Sequence, residues 1–405
     1  MSLLVIVNNA SLFGGERLLE SPASRFVLAL TLSLVLLSSC AEDPNAYKVE
    51  EELDIYAQRF FTYAKEYGHN FDDKGLIMRF SNLGGHRAGK CYINRIPIEI
   101  EIDSIYWKGL TKSYLADVRK ELVVFHEMGH GFLRRNHFND VIKNNDWKSM
   151  MCGGELPNGR ASNTNYRGMR REYYIKELFT QTTEIPEWST FVPNFSGMFQ
   201  HLLYQLDINK PQFPIIKQDN FYSRIENGEY VATSYSGNHA ANFSSPVNTL
   251  DDFLIEAQIK VVHNTDNASA LVGICFGELD TDKDGANIHY ISLDGEQHIL
   301  VGENMCGFPF IDLYNTKYNL SDYTKIKIYK QGQFVYYFIN DTFIYHNDIS
   351  DLVQGGEETG LMIYSGNTVY VKDFKIYLDK PADRSFKEMV PQLYEFQIAD
   401  INNKE

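Results

Sequence analysis

The chain has 405 residues, 44% of them hydrophobic and 14% aromatic, which is enough for two packed cores rather than one. Its formal net charge of −15 comes without any basic block, so neither nucleic acid nor an anionic membrane surface is recognised through charge. The 26 tyrosines and 26 phenylalanines, spread over many short alternating segments, lean the composition toward β structure.

Phe26 to Leu37, FVLALTLSLVLL, is an apolar run behind Arg25 that is too short to span a bilayer as a helix, and it reads as the hydrophobic part of an export signal. Leu37-Ser38-Ser39-Cys40 follows it and resembles the lipobox of bacterial lipoproteins. That resemblance implies a signal peptide over residues 1–39, a lipid on Cys40, and a mature chain held at the bacterial cell envelope, on the outer membrane, by the anchor alone. Ala41-Glu42-Asp43 is similar to acidic signals that carry some such lipoproteins to the cell surface. With Cys40 acylated, four cysteines remain; an oxidising compartment permits Cys91–Cys152 and Cys275–Cys306 bridges, and equally permits four thiols.

From Asn45 to about Glu66 the residues Tyr47, Leu53, Ile55, Tyr56, Phe60, Phe61 and Ala64 recur at helical spacing and predict an amphipathic helix. Ile96 to Trp107 alternates, with Ile98, Ile100 and Ile102 on one face and Glu99, Glu101 and Asp103 on the other, which predicts a strand. Lys112 to Arg135 has the pattern of a long helix, and Arg170 to Gln181 that of another. Pro186, Pro193, Pro211 and Pro214 interrupt the region 186–218, read as a connector in which SGMFQHLLYQL could form a short helix. Strands follow. Phe253, Ile255, Ala257, Ile259 and Val261 alternate with Glu256, Gln258 and Lys260; Gln331-Gly332-Gln333 and Asn340-Asp341 each separate two apolar runs as tight hairpins would. The division expected is an α+β domain over 45–185, the connector, an all-β sandwich over 219–378, and a tail over 379–405.

The chemistry concentrates in HEMGHGFLRRNH, His126 to His137. Residues four apart on a helix differ by about 400° of rotation and about 6 Å of rise, so His126 and His130 face one way and can share one ion. A zinc ion held by neutral imidazoles acidifies water, and the adjacent Glu127 is placed to act as general base and then to protonate the leaving amine. A third ligand is needed. On a continuous helix His137 would lie about 16 Å beyond His126, so the helix must end between His130 and His137. Asn136, directly before His137, tolerates the left-handed conformation that such a turn requires. Glu177, or Glu172, on the Arg170–Gln181 segment is the alternative third ligand, and Tyr173 or Tyr174 there could supply an oxyanion donor.

His126, Glu127 and His130, with Ser149-Met150-Met151 downstream, resemble the zincin metallopeptidases and among them the metzincins, in which HExxHxxGxxH precedes a methionine turn. The resemblance covers roughly residues 47–182 and implies a zinc-dependent peptidase with Met151 beneath the metal. This chain departs from the pattern, since its third His arrives one position late; the spacing HExxHx6H is similar to that of a group of bacterial metallopeptidase-like proteins.

FLIEAQIKV, ALVGICFGEL, NIHYISLDG and the hairpins beyond them resemble the concanavalin A-like, laminin G-like jelly roll. That implies a glycan- or protein-binding module, so the partners expected are a protein or glycoprotein substrate and a glycan. Asp280, Asp282 and Asp284, in DTDKDG, match the start of a calcium loop, but the twelfth position is Ile291, and an acidic hairpin turn is the competing reading. A non-catalytic adhesin on a degenerate peptidase scaffold, and a metal-dependent hydrolase of other amides, are the alternatives to a peptidase.

Overall fold

The computed structural model describes residues 43–71, 75–84, 87–111, 115–142, 146–153, 166–182, 184–190, 192–244, 250–264, 271–278, 287–294, 298–305, 311–317, 322–349, 356, 358–381 and 391–396. The signal-like segment 1–39, Cys40, Cys306, Asp280, Asp282 and Asp284 lie outside them. No helix among the described residues is long and apolar enough to cross a membrane.

The N-terminal unit is α+β. Strands β1 (Tyr47–Val49), β2 (Leu76–Ser81), β3 (Gly89–Tyr92) and β4 (Ile98–Asp103) form one sheet in the order β1-β2-β4-β3. The first three in that order run parallel and β3 is the antiparallel edge. Helices α1 (Glu51–Glu66), α2 (Ser104–Thr111), α3 (Ala116–Phe132), α4 (Gly168–Thr180) and the short α5 (Glu187–Thr190) complete it. Helix α1 starts with Glu51, Glu52 and Asp54 and ends with Lys65, as its dipole favours. It buries Leu53, Tyr56, Ala57, Phe60 and Ala64 on one face. Phe60 meets Phe125 of α3 edge-on at 5.5 Å and Phe179 of α4 at 5.0 Å, so one ring holds three helices together.

The alternation that begins at Ile98 stops at Asp103 rather than Trp107. The Asp103 Oδ1 accepts the Tyr106 amide at 2.7 Å, capping α2 and turning the chain out of the sheet.

The C-terminal unit is a mostly β sandwich. Its strands are β5 (His201–Gln205), β6 (Phe221–Glu226), β7 (Glu229–Ser234), β8 (Asn238–Ser244), β9 (Phe253–His263), β10 (Val272–Glu278), β11 (Asn287–Leu293) and β12 (His298–Met305). They continue with β13 (Ile311–Lys317), β14 (Thr324–Gln331), β15 (Phe334–Ile339), β16 (Thr342–Asp348), β17 (Glu358–Ile363), β18 (Asn367–Leu378) and β19 (Pro391–Phe396). One sheet has the order β13-β12-β11-β10-β17-β8-β19, the other β16-β15-β14-β9-β18-β7-β6, with β5 paired to β18. A single apolar core runs between them, with Ile255, Ile259, Ile328 and Ile376 from one sheet and Val272, Ile274, Ile291 and Leu361 from the other. The Asn340-Asp341 hairpin has positive φ at both residues, as a two-residue primed turn demands.

Two segments differ from expectation. Within the connector, His201–Gln205 is a strand rather than part of a helix. Strand β7 pairs with β18 only from Asn367 to Val371, and β5 takes the remaining edge from Lys375 to Leu378, so tertiary pairing overrides local propensity. Phe195 of the same connector stacks on Tyr329 at 4.1 Å. The expected tail contributes β19, paired along β8.

The two units meet through buried ions. Arg167 makes a bidentate pair with Glu303, both arms 2.9 Å, with side chains 3% and 0% exposed. Arg170 binds the Asp146 carboxylate and the His346 carbonyl, each at 2.9 Å.

Candidate metal centre

Helix α3 places His126 and His130 one turn apart, and their Nε2 atoms lie 3.2 Å from each other. The His137 Nε2 lies 3.3 Å from that of His126, so the three imidazoles converge, two half-buried and one exposed. Among the described residues this is the one cluster of three His, Cys, Asp or Glu donors able to hold a metal ion.

The second ring nitrogens fix the tautomers. The His126 Nδ1–H donates to the Met150 carbonyl at 2.8 Å, and the His130 Nδ1–H to the Arg135 carbonyl at 2.6 Å. A carbonyl only accepts, so each Nδ1 carries the proton and each Nε2 presents a lone pair. Burial drives the His126 imidazole down to about 4 and lowers His130 as well, keeping both rings neutral. Two bare lone pairs 3.2 Å apart repel each other, and a cation between them turns that repulsion into coordination. The donor set fits a divalent metal.

His137 reaches the cluster because α3 stops at Phe132. The left-handed residue is Arg134, φ 54°, and not Asn136. The reason is local closure: the Arg135 amide turns back onto the Gly129 carbonyl at 3.1 Å, which requires the reversal one residue earlier. The Arg134 guanidinium, swung outward by the turn, donates to the Ile93 carbonyl. The Phe138 amide donates to the Met151 carbonyl at 2.8 Å, tying the returning segment to the Ser149–Met151 turn.

Met151 is fully buried beneath α3, where a Cβ on Gly129 would lie 2.7 Å from its Sδ. The glycine inside HEMGH therefore lets the methionine reach the helix. Glu127, 6% exposed, points to β3, and a Cβ on Gly89 would stand 2.7 Å from its Oε1. Burial pushes the Glu127 carboxyl up to about 8. Cys91, also on β3, is pushed up to about 12 by burial first and by Glu127 second.

Other expected residues have different positions. The Glu177 Oε1 binds Arg135 at 2.6 Å and its Oε2 accepts from the Ser149 hydroxyl at 2.6 Å, so this carboxylate is committed away from the imidazoles. Glu172 is exposed on α4, outside the cluster. The Tyr173 hydroxyl donates to the Lys148 carbonyl and that of Tyr174 to the Trp147 carbonyl, both at 2.8 Å, which removes them as oxyanion donors. Cys91 and Cys152 are not bridged to each other, and the expected Cys275–Cys306 pairing falls on Cys306, outside the described residues. Sequence reasoning missed Gly89, Arg134 and Arg135. A glycine inside a short strand hints at close approach, which was the available signal for Gly89.

No family model matches the chain, and no curated protein does. Among solved structures it is similar to a carbohydrate-binding module from Bacillus subtilis, at 14% identity and TM-score 0.29 over 40% of this chain and 99% of that one. A Bacillus licheniformis β-glucanase matches at 12% identity and TM-score 0.29, over 46% and 96%. A Bacillus subtilis protein described as having a galectin-like fold matches at 12% identity and TM-score 0.31, over 44% and 96%. At such TM-scores these likenesses carry no argument about function, and the sandwich stands on its own strand order.

Proposed function

We propose that the N-terminal unit is a zinc-dependent peptidase of zincin type, joined to a sandwich that binds glycan or protein, in an exported protein anchored at the bacterial envelope through Cys40. The observation that carries the catalytic part is the convergence of three imidazole Nε2 atoms with two tautomers set by main-chain carbonyls. His126, His130 and His137 would hold the zinc, a borderline ion suited to neutral imidazole. Bound there, zinc supplies Lewis acidity toward a carbonyl oxygen and toward water.

The chain's own residues supply the rest. Glu127 exchanges protons near neutral pH, because burial lifts its carboxyl to about 8, and so it can take a proton from the attacking water and return it to the leaving amine. A peptide substrate is favoured over other amides by β3, the sheet's antiparallel edge, which packs through Gly89 against Glu127. An extended chain paired to that edge would run beside the base. The binding role of the second unit rests on the sandwich alone.

The deciding experiment measures zinc content and peptide hydrolysis together in the full chain. Stoichiometric zinc, lost on His126→Ala, and cleavage lost on Glu127→Gln with zinc retained are the expected results. Protein that takes up no zinc, or a Glu127→Gln variant that cleaves like the parent, overturns the reading.

A further inference from the structure

The two carbonyls that orient the helix imidazoles belong to Met150 and Arg135, which lie on separate segments outside the regular elements. Something must hold each carbonyl in place, because a ligand ring is oriented only as well as the acceptor of its other nitrogen. On the His126 side, the Met150 carbonyl and the Met151 amide are two ends of one peptide plane. That amide donates to the Ser149 Oγ at 3.0 Å, and the Ser149 hydroxyl donates to the Glu177 Oε2 at 2.6 Å. Fixing the hydroxyl fixes the plane, and the plane aims the carbonyl at His126.

On the His130 side, the Arg135 guanidinium donates to the Glu177 Oε1 at 2.6 Å and to the Glu177 and Leu178 carbonyls at 2.8 and 3.0 Å. Its amide is held by Gly129, so the residue is fixed at both its main chain and its side chain, and its carbonyl is aimed at His130. Both arms end on one buried carboxylate, 1% exposed.

We propose that Glu177 is the positioning residue of the centre: a single carboxylate, one oxygen per arm, that sets the tautomer and direction of His126 through Ser149 and of His130 through Arg135. The proposal deepens the metal-centre reading and rests on it for its purpose, but its geometry is made by protein groups alone. Glu177 touches neither metal nor substrate. Its two oxygens divide the labour, so the arms can be cut separately.

The test uses the full chain with 15N-labelled histidine, without metal and near neutral pH, and reads the tautomer of each ring by long-range 1H–15N correlation. In the parent, His126 and His130 are expected as Nδ1–H tautomers. Ser149→Ala should mix the tautomers of His126 and leave His130 alone; Arg135→Lys, which keeps the charge but loses the fork, should do the reverse. Glu177→Gln should disturb both and weaken zinc binding, measured by competition with a chelating dye, by about 10- to 100-fold. If Glu177→Gln fails to fold, the two single-arm variants still decide. The proposal is overturned if the single-arm variants move both rings alike, or neither, or if Glu177→Gln leaves tautomers and zinc affinity at parent values. A parent that shows the tautomers but takes up no zinc removes the metal reading and leaves the positioning role standing.

Discussion

Among the described residues, neutral histidines stand both at the candidate metal centre and at the joint between the units, and the contrast separates converging donors from single rings. At the candidate metal centre His126 and His130 turn their lone pairs toward each other and toward His137, next to solvent. At the joint between the units His289 and His346 are just as neutral, driven down to about 4 and about 3 by burial, but neither converges with a second imidazole: His289 stands 3.8 Å from the Glu303 carboxylate that Arg167 pairs, and the His346 carbonyl accepts from Arg170. Depressed basicity is common to both. What differs is convergence of donors, so a buried imidazole by itself says nothing about chemistry.

The contrast is broken most directly at Glu127 and at the joint. Glu127→Gln is expected to lower peptide hydrolysis by about 10²- to 10⁴-fold with zinc still bound, whereas His289→Gln should leave hydrolysis within about twofold of the parent, as measured by steady-state kinetics. Removing one partner of the buried Arg167–Glu303 pair is next in size. Arg167→Ala should cost about 3–5 kcal/mol in denaturant unfolding, because it takes the bidentate cation from a carboxylate with 0% exposure, to which only neutral groups such as Asn347 still donate. A variant that unfolds at the parent midpoint would show that this ionic contact contributes nothing to the joint.

Acid sharpens the same comparison. The unfolded chain protonates histidine at about 6.5, while folded His289 and His346 resist until about 4 and about 3. Between those limits the unfolded state binds more protons. Stability from these two rings is therefore complete above about pH 6.5 and falls as pH drops, by about 1.4 kcal/mol per pH unit for each ring, measured by unfolding at stepped pH. Replacing His289 with Gln should flatten that slope between about 6.5 and 4, and an unchanged slope would assign the acid sensitivity elsewhere.

How much of this was legible in the sequence depends on the range of the interaction. The facing pair His126 and His130 follows from helix geometry, and the Asn340-Asp341 turn from two residues that tolerate positive φ. The requirement that α3 end before His137 was also legible, because a continuous helix carries it too far. Glu177 was not. Its partners are 42 and 28 residues away, and nothing in RREYYIKELF distinguishes a carboxylate that binds metal from one that holds the groups behind the ligands. The strand His201–Gln205 was hidden for a similar reason, since the edge that recruits it is on β18.

The turn before His137 gives the smallest and sharpest prediction. Sequence preference points to Asn136, since Asn enters the left-handed region more readily than any residue but glycine. The structure puts the reversal at Arg134, because there the Arg135 amide closes on Gly129 and the Arg135 carbonyl meets His130 in the same step. Moving the reversal to 136 would turn that carbonyl away from the ring. A β-branched residue resists positive φ strongly, so Arg134→Val should cost about 1–2 kcal/mol and loosen zinc, while Asn136→Val should stay within about 0.5 kcal/mol of the parent. Equilibrium unfolding with zinc titration reads both variants. The opposite ranking would return the turn to Asn136 and leave His130 without its orienting carbonyl.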